Sequence, residues 1–220
     1  MNDAGTSPGA AAPSPATAAF SLTVPASWFE LDLHPASSAS SISAMVDERL
    51  RDQPELSAHR PAVVRLLRRQ ARTAWESGAV YCACSVDPTD DGPLTAAVTV
   101  SVIDPPLDAP VDAGGRERLD PLLHRLKAKE PAGPDDTWTR VEVVHLDGAL
   151  PAARTAGVED VDVPDGGGWI RSVLMQTFVP VPGMRKVVLV TCSSPVVPLA
   201  DVLLDLFDAV TSTLRLVPAD

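Results

Sequence analysis

From Phe20 the chain alternates apolar and polar residues through Phe20-Ser21-Leu22-Thr23-Val24. It turns at Pro25-Ala26-Ser27 and alternates again through Trp28-Phe29-Glu30-Leu31-Asp32-Leu33. A period of two is what a half-buried strand needs, so the pattern predicts an opening β-hairpin. The period then becomes helical. Ser38–Asp52 sets Ile42, Met45, Val46 and Leu50 on one face, behind serines suited to N-capping. Ser57–Glu76 carries Val63, Leu66, Leu67, Ala71 and Ala74 at helical spacing. Pro54 separates the two helices, Pro61 is tolerable in the first turn of the second, and Gly78 suits its C-terminal cap.

Strands follow. Ala79–Val86 connects across Asp90-Asp91-Gly92-Pro93 to Leu94–Ile103, where Val98, Val100 and Val102 face one way and Thr99 and Ser101 the other. A short helix is expected to begin at Asp120 as N-cap and Pro121 as first residue, burying Leu122, Leu123 and Leu126. Thr137–Leu146 and Ala149–Val163 are joined by Asp147-Gly148, a strong hairpin signal. Asp165-Gly166-Gly167-Gly168 turns into Trp169–Val181, and Pro182-Gly183 turns into Arg185–Ser193. Val187-Val188-Leu189-Val190 is continuously apolar, which places that strand centrally, covered on both faces. A final helix over Val197–Leu216 would bury Leu199, Val202, Leu203, Leu206, Val210 and Leu214. These elements predict an α+β fold, a mainly antiparallel meandering sheet flanked by helices. It forms a single domain over 20–216, between an Ala/Pro/Ser-rich tail at 1–19 that cannot bury enough to order and a short tail at 217–220.

Composition narrows the function classes. Asp and Glu number 29 against 18 Lys and Arg, a net charge of −11, which opposes general binding to nucleic acid or to anionic lipid. No stretch approaches the ~20 apolar residues of a membrane span, so no membrane insertion is expected. The N-terminus has neither the basic start nor the apolar run of a signal peptide, and three cysteines make no disulfide framework. The expected compartment is the reducing cytoplasm.

The candidate chemistry is sparse. Cys82 and Cys84 lie two apart on a strand and so share a face, but a straight C-x-C segment is poorly shaped for zinc, even with Cys192 and a histidine added. They read as small core thiols. His34, His59, His124 and His145 fall on separate elements, and His145 shares a face with Val141 and Val143, which suggests a half-buried position. Ser193-Ser194 stands at a strand-to-helix turn, as nucleophilic serines do, but Thr191-Cys192-Ser193-Ser194-Pro195 lacks the glycines of a nucleophile elbow. Gly166-Gly167-Gly168 has no following Lys-Ser/Thr and joins strands, so it is a turn and not a phosphate loop. No catalytic residue, metal site or cofactor is assigned. The distinctive surface is a row of Arg65, Arg68, Arg69 and Arg72, opposite the apolar stripe of its helix in an acidic protein. Glu76 can neutralise only one end of it. The row reads either as a solvated helix face paired with nearby acids or as a docking face for an acidic protein partner or a second copy of the chain. Trp75 and Trp169 would serve as interface anchors if exposed.

The opening "FSLTVPASWFELDL" and the closing "VLVTCSSP" strand with its "LLDLFDAVTSTLRL" helix resemble PsbP/Mog1-like domains. They also resemble a group of proteins of high-GC Gram-positive bacteria, some encoded near type VII secretion genes. The resemblance spans 20–216 and implies an α/β/α sandwich that works by binding other proteins, in this case as an accessory to a secretion system. It carries over no catalytic residue. The reading from another class is a small-molecule or metal-binding domain, or a minor hydrolase, with its site near Ser193.

Overall fold

Val98 and Val100 are fully buried while Thr99 and Ser101 between and beside them are half-buried, and this alternation sets the layering of the molecule. The computed structural model describes residues 19–52, 57, 59–89, 92–104, 115–128, 137–146, 150–162 and 168–217. The elements are β1 (Ala19–Ser21), β2 (Phe29–Glu30), α1 (Ser38–Asp52), α2 (Arg60–Glu76), β3 (Ala79–Thr89), β4 (Gly92–Ile103) and α3 (Gly115–Ala128). They continue as β5 (Trp138–Leu146), β6 (Leu150–Asp162), β7 (Trp169–Pro180), β8 (Val187–Ser194), α4 (Ala200–Ser212) and β9 (Arg215–Val217). Seven strands form an antiparallel sheet in the order β2-β3-β4-β8-β7-β6-β5. The fold is α+β, as the pattern predicts, with β8 in the centre.

One face of the sheet is covered by α4. There Val98, Val100, Val173, Met175, Val188, Val190 and Cys192 meet Leu203, Leu204, Phe207 and Val210. Burying a side chain such as Phe207 contributes about 3 kcal/mol, so this layer is the main source of stability. The other face is shared. At the β3 end, Ile42 and Val46 of α1 and Val64, Leu67, Ala71 and Ala74 of α2 pack on Cys82, Cys84 and Ala97. Toward the other edge, Leu119 and Leu122 of α3 pack on Ala153, Phe178 and Val187. Gly78, with a φ of +77°, ends α2 in the left-handed conformation that glycine supplies.

Four expectations are corrected. The opening hairpin does not form: β1 pairs with β9 in a separate two-stranded sheet, and β2 pairs with β3. The final helix stops at Ser212, because Leu214 is drawn into the core and the chain then extends to meet β1. Thr213 fixes that junction, its Oγ1 accepting from the Thr23 amide at 2.9 Å. On α4 the buried stripe is Leu203, Leu204, Phe207, Val210 and Thr211, whereas Leu199 and Val202 are 41% and 66% exposed. Finally, α3 starts at Gly115 and carries Pro121 in its interior, since Leu119, buried to 1% exposure, extends the Leu122 stripe backwards. The tail expected at 1–19 lies outside the described residues but for Ala19. The turns expected at Asp90-Asp91, Asp147-Gly148 and Asp165-Gly166-Gly167 also lie outside them, and Val217 belongs to β9 rather than to a tail.

Two features hold the far half of the sheet. Gly157 of β6 lets β5 approach so closely that a Cβ would sit 1.9 Å from the Trp138 carbonyl oxygen. Arg154, only 3% exposed, lies on the α4 face between Ala152 and Ala156, whose small side chains leave it room. Its Nε donates to Thr177 Oγ1 at 3.1 Å and one Nη to Thr211 Oγ1 at 2.8 Å, and the other Nη pairs with the half-exposed Asp208.

Gly157→Ala is expected to lower stability by about 2–3 kcal/mol, because backbone rather than a flexible side chain must yield; a denaturant midpoint within error of wild type rejects this. Removing the anion is expected to cost more than removing the cation. Asp208→Ala strands a buried guanidinium and should cost about 2–3 kcal/mol, while Arg154→Met leaves an exposed carboxylate and one neutral buried hydroxyl, that of Thr177, without their partner and should cost less. Urea denaturation of the two variants gives the order directly.

Candidate functional site

The arginine row lies on the surface of α2, with all four residues exposed. Its members differ in what they are free to do. Arg68 is anchored to α1, donating at 2.8 Å to both the Ala39 carbonyl and Ser43 Oγ. Arg72 pairs with Glu76 at 2.9 Å, four residues on, at the end of the row where neutralisation was expected. Arg65 and Arg69 have no hydrogen bond or ion pair among the described residues. Anchored and available guanidinium groups therefore alternate along the row. Beneath the row, α1 and α2 are clasped by Arg60, which grips Asp47 through two bonds of 2.6 and 2.8 Å. The Arg60 guanidinium holds the Asp47 carboxyl below the usual carboxylate range.

Ser193 opens into a cleft of about 80 Å3 on the α2 side of the sheet. Leu66 and Gln70 of α2 form one wall, and Cys84, Ser85 and Val86 of β3, Thr95, Ala96 and Ala97 of β4 and Pro195 complete the lining. No histidine, carboxylate, lysine or arginine lines it, so Ser193 has no base to take its proton and no cation to steady an oxyanion. Its neighbour Ser194 is fully employed: the Oγ donates to the Thr95 carbonyl at 2.7 Å and accepts from the Val196 amide at 3.2 Å, which fixes the turn into α4. Gln70 and Thr95 escape a reading of the sequence because only the packing of α2 over β4 brings them to Ser193.

The cysteines do not gather. Cys82 and Cys84 share the α2 side, opposite Thr99 and Ala97 in register, but Cys192 pairs with Val98 and Met175 on the α4 side. Among the described residues no group of three or more His, Cys, Asp or Glu side chains is placed to hold a metal ion. Burial pushes the Cys82 and Cys192 thiols up to about 12, and Cys84 up as well; at Cys192 the Arg154 charge pulls the other way without prevailing. The four histidines are all exposed on separate elements, His145 included, although its face of β5 was expected to be half-buried. Trp75 and Trp169 are 47% and 60% exposed. Trp75 meets His34 edge-on at 5.8 Å, and Arg171 lies over the Trp169 ring at 5.6 Å. No described helix is long and apolar enough to cross a membrane.

The buried thiols set a pH dependence. Each is protonated in the folded chain well above the value of about 8.5 at which an unfolded thiol ionises. Their contribution is complete below about pH 8.5 and is lost as pH rises toward the folded value. The melting temperature is expected to fall between pH 8 and 10, less steeply in Cys192→Ala, and a thiol reagent should label the native chain only at the rate of unfolding. Rapid labelling of native protein at pH 8 contradicts it.

No protein-family model matches the chain, and no curated protein is similar to it. Among solved structures it is similar to LpqN of Mycobacterium tuberculosis, described as involved in cell envelope biogenesis. The two are 13% identical over 93% of this chain and 87% of that one, with a TM-score of 0.47. The likeness is one of outline and identifies no family.

Proposed function

We propose that this chain is a non-enzymatic protein-binding domain, an adaptor whose docking surface is the arginine row of α2. The observation that carries the proposal is the pair Arg65 and Arg69, exposed and without partners among the described residues, on a helix braced by Arg68 and the Arg60–Asp47 clasp. Positive charge held in a fixed array on a protein of net charge −11 favours an acidic partner and steers its approach. The same proposal includes kinship with PsbP/Mog1-like domains and an accessory role beside a secretion system, which rest on the sequence resemblance. It also includes a cytoplasmic setting, supported by three buried, unpaired thiols. A hydrolase reading at Ser193 has less support, since nothing in the cleft activates the hydroxyl.

Selection of a random peptide library on the full chain tests the docking surface. Enriched peptides are expected to carry runs of Asp and Glu, to bind more weakly as salt rises, and to lose about tenfold in affinity to Arg65→Glu/Arg69→Glu. Enriched peptides without acidic residues, or binding indifferent to the charge reversal, would overturn the proposal. Self-association abolished by the same reversal would identify a second copy of the chain as the partner.

A further inference from the structure

Central strands of a sheet sandwiched between helices ordinarily turn apolar side chains to both layers. On the α4 face this holds: the row crossing β4, β8, β7 and β6 reads Val98, Cys192, Met175 and Ala156. One residue along, on the opposite face, the corresponding row reads Thr99, Thr191, Gln176 and Thr155, neutral and polar at every position. Thr99, Thr191 and Gln176 are half-buried and Thr155 is 6% exposed. Their side chains have no hydrogen-bond partner among the described residues. Among the described residues the one fully buried side-chain polar atom left unbonded is the Tyr81 hydroxyl, which belongs to the α4 face, so the row's own polar groups reach solvent. The row lies between the two helical clusters of its face. Toward α2, the next row is Ala97 and Ser193, the floor of the cleft beneath Gln70; toward α3, the next is Ser101, Leu189 and Phe178.

We infer that this row and the adjoining cleft form a binding site for a neutral, hydroxyl-rich ligand of the carbohydrate class. Each threonine or serine hydroxyl donates and accepts at once, and a glutamine amide does the same with two atoms, which matches the paired donor and acceptor character of sugar hydroxyls. Leu66, Val86 and Pro195 give the cleft apolar walls for the C–H faces of a ring. An anion would find no cation among these groups and a cation would find no carboxylate, and either would lose hydration without return. An extended peptide is the weaker fit. Peptides add to sheets through free backbone edges, and β4, β8 and β7 are each paired on both sides. The site is separate from the arginine row, so it stands or falls independently of the docking proposal.

The test is a glycan array of neutral and charged saccharides probed with the full chain, followed by amide chemical-shift mapping with the best binder and, as a control, a neutral tetrapeptide. Neutral glycans are expected to bind, with shifts at Thr99, Gln176, Thr191 and Ser193. Thr191→Val, equal in shape and better suited to a strand, should weaken binding about fivefold to tenfold through one lost hydrogen bond while leaving the melting temperature unchanged. Three outcomes overturn the inference: an array without neutral binders, shifts that map elsewhere or follow the peptide instead, and binding indifferent to Thr191→Val.

Discussion

A guanidinium cannot be left inside a protein without partners, and Arg154 is the charge around which the described core is organised. It projects from β6 beneath α4, where Thr177 of β7 and Asp208 and Thr211 of the helix receive it. One side chain thus joins two strands to the helix that covers them. Asp208 and Thr211 stand one turn apart and present two acceptors to a planar fork, which fixes both the height and the rotation of α4 over the sheet. Apolar packing alone leaves that rotation free, because α4 has a second apolar stripe available. With the polar contacts in place, Leu203, Phe207 and Val210 turn inward and Leu199 and Val202 turn out.

That choice explains where a reading of the sequence loses the structure. The α4 stripe is ambiguous by periodicity, since Leu199, Val202 and Leu206 are spaced as well as Leu203, Phe207 and Val210. The deciding signal is polar and distant, an arginine in a strand between two alanines on its own face. The opening hairpin fails for a similar reason. The alternation of Phe20 to Val24 and of Trp28 to Leu33 is genuine, but alternation names a strand without naming its partner, and each segment pairs elsewhere. Where the information is local the reading holds. The bounds of α1, the glycine cap after α2 and the central place of the Val187–Val190 strand all follow from neighbouring residues.

The candidate surfaces divide along the same line. The arginine row needs only helical spacing to be seen, because its residues are three and four apart on one element. The threonine–glutamine row cannot be seen that way. Its members are spread from Thr99 to Thr191 and come together only through the registers of β4, β8, β7 and β6. The alternation of Thr99 and Ser101 with valines marks a two-sided strand, but not what lies beside it. The cysteines also depend on register: the pleat sends Cys192 to one side of the sheet and Cys82 and Cys84 to the other.

The two-stranded ribbon of β1 and β9 has a mechanical consequence. Ala19 lies opposite Val217 and Ser21 opposite Arg215, so tension applied through the segments flanking the fold reaches the ribbon at one end. Its pairs are loaded in turn, like the teeth of a zip, rather than sheared together. Resistance to pulling at that point is consequently low, and the ribbon peels back to the Thr23–Thr213 contact before force is transmitted to the seven-stranded sheet. Whatever is tethered beyond either strand can tug on this domain without first disturbing the arginine helix or the core beneath α4.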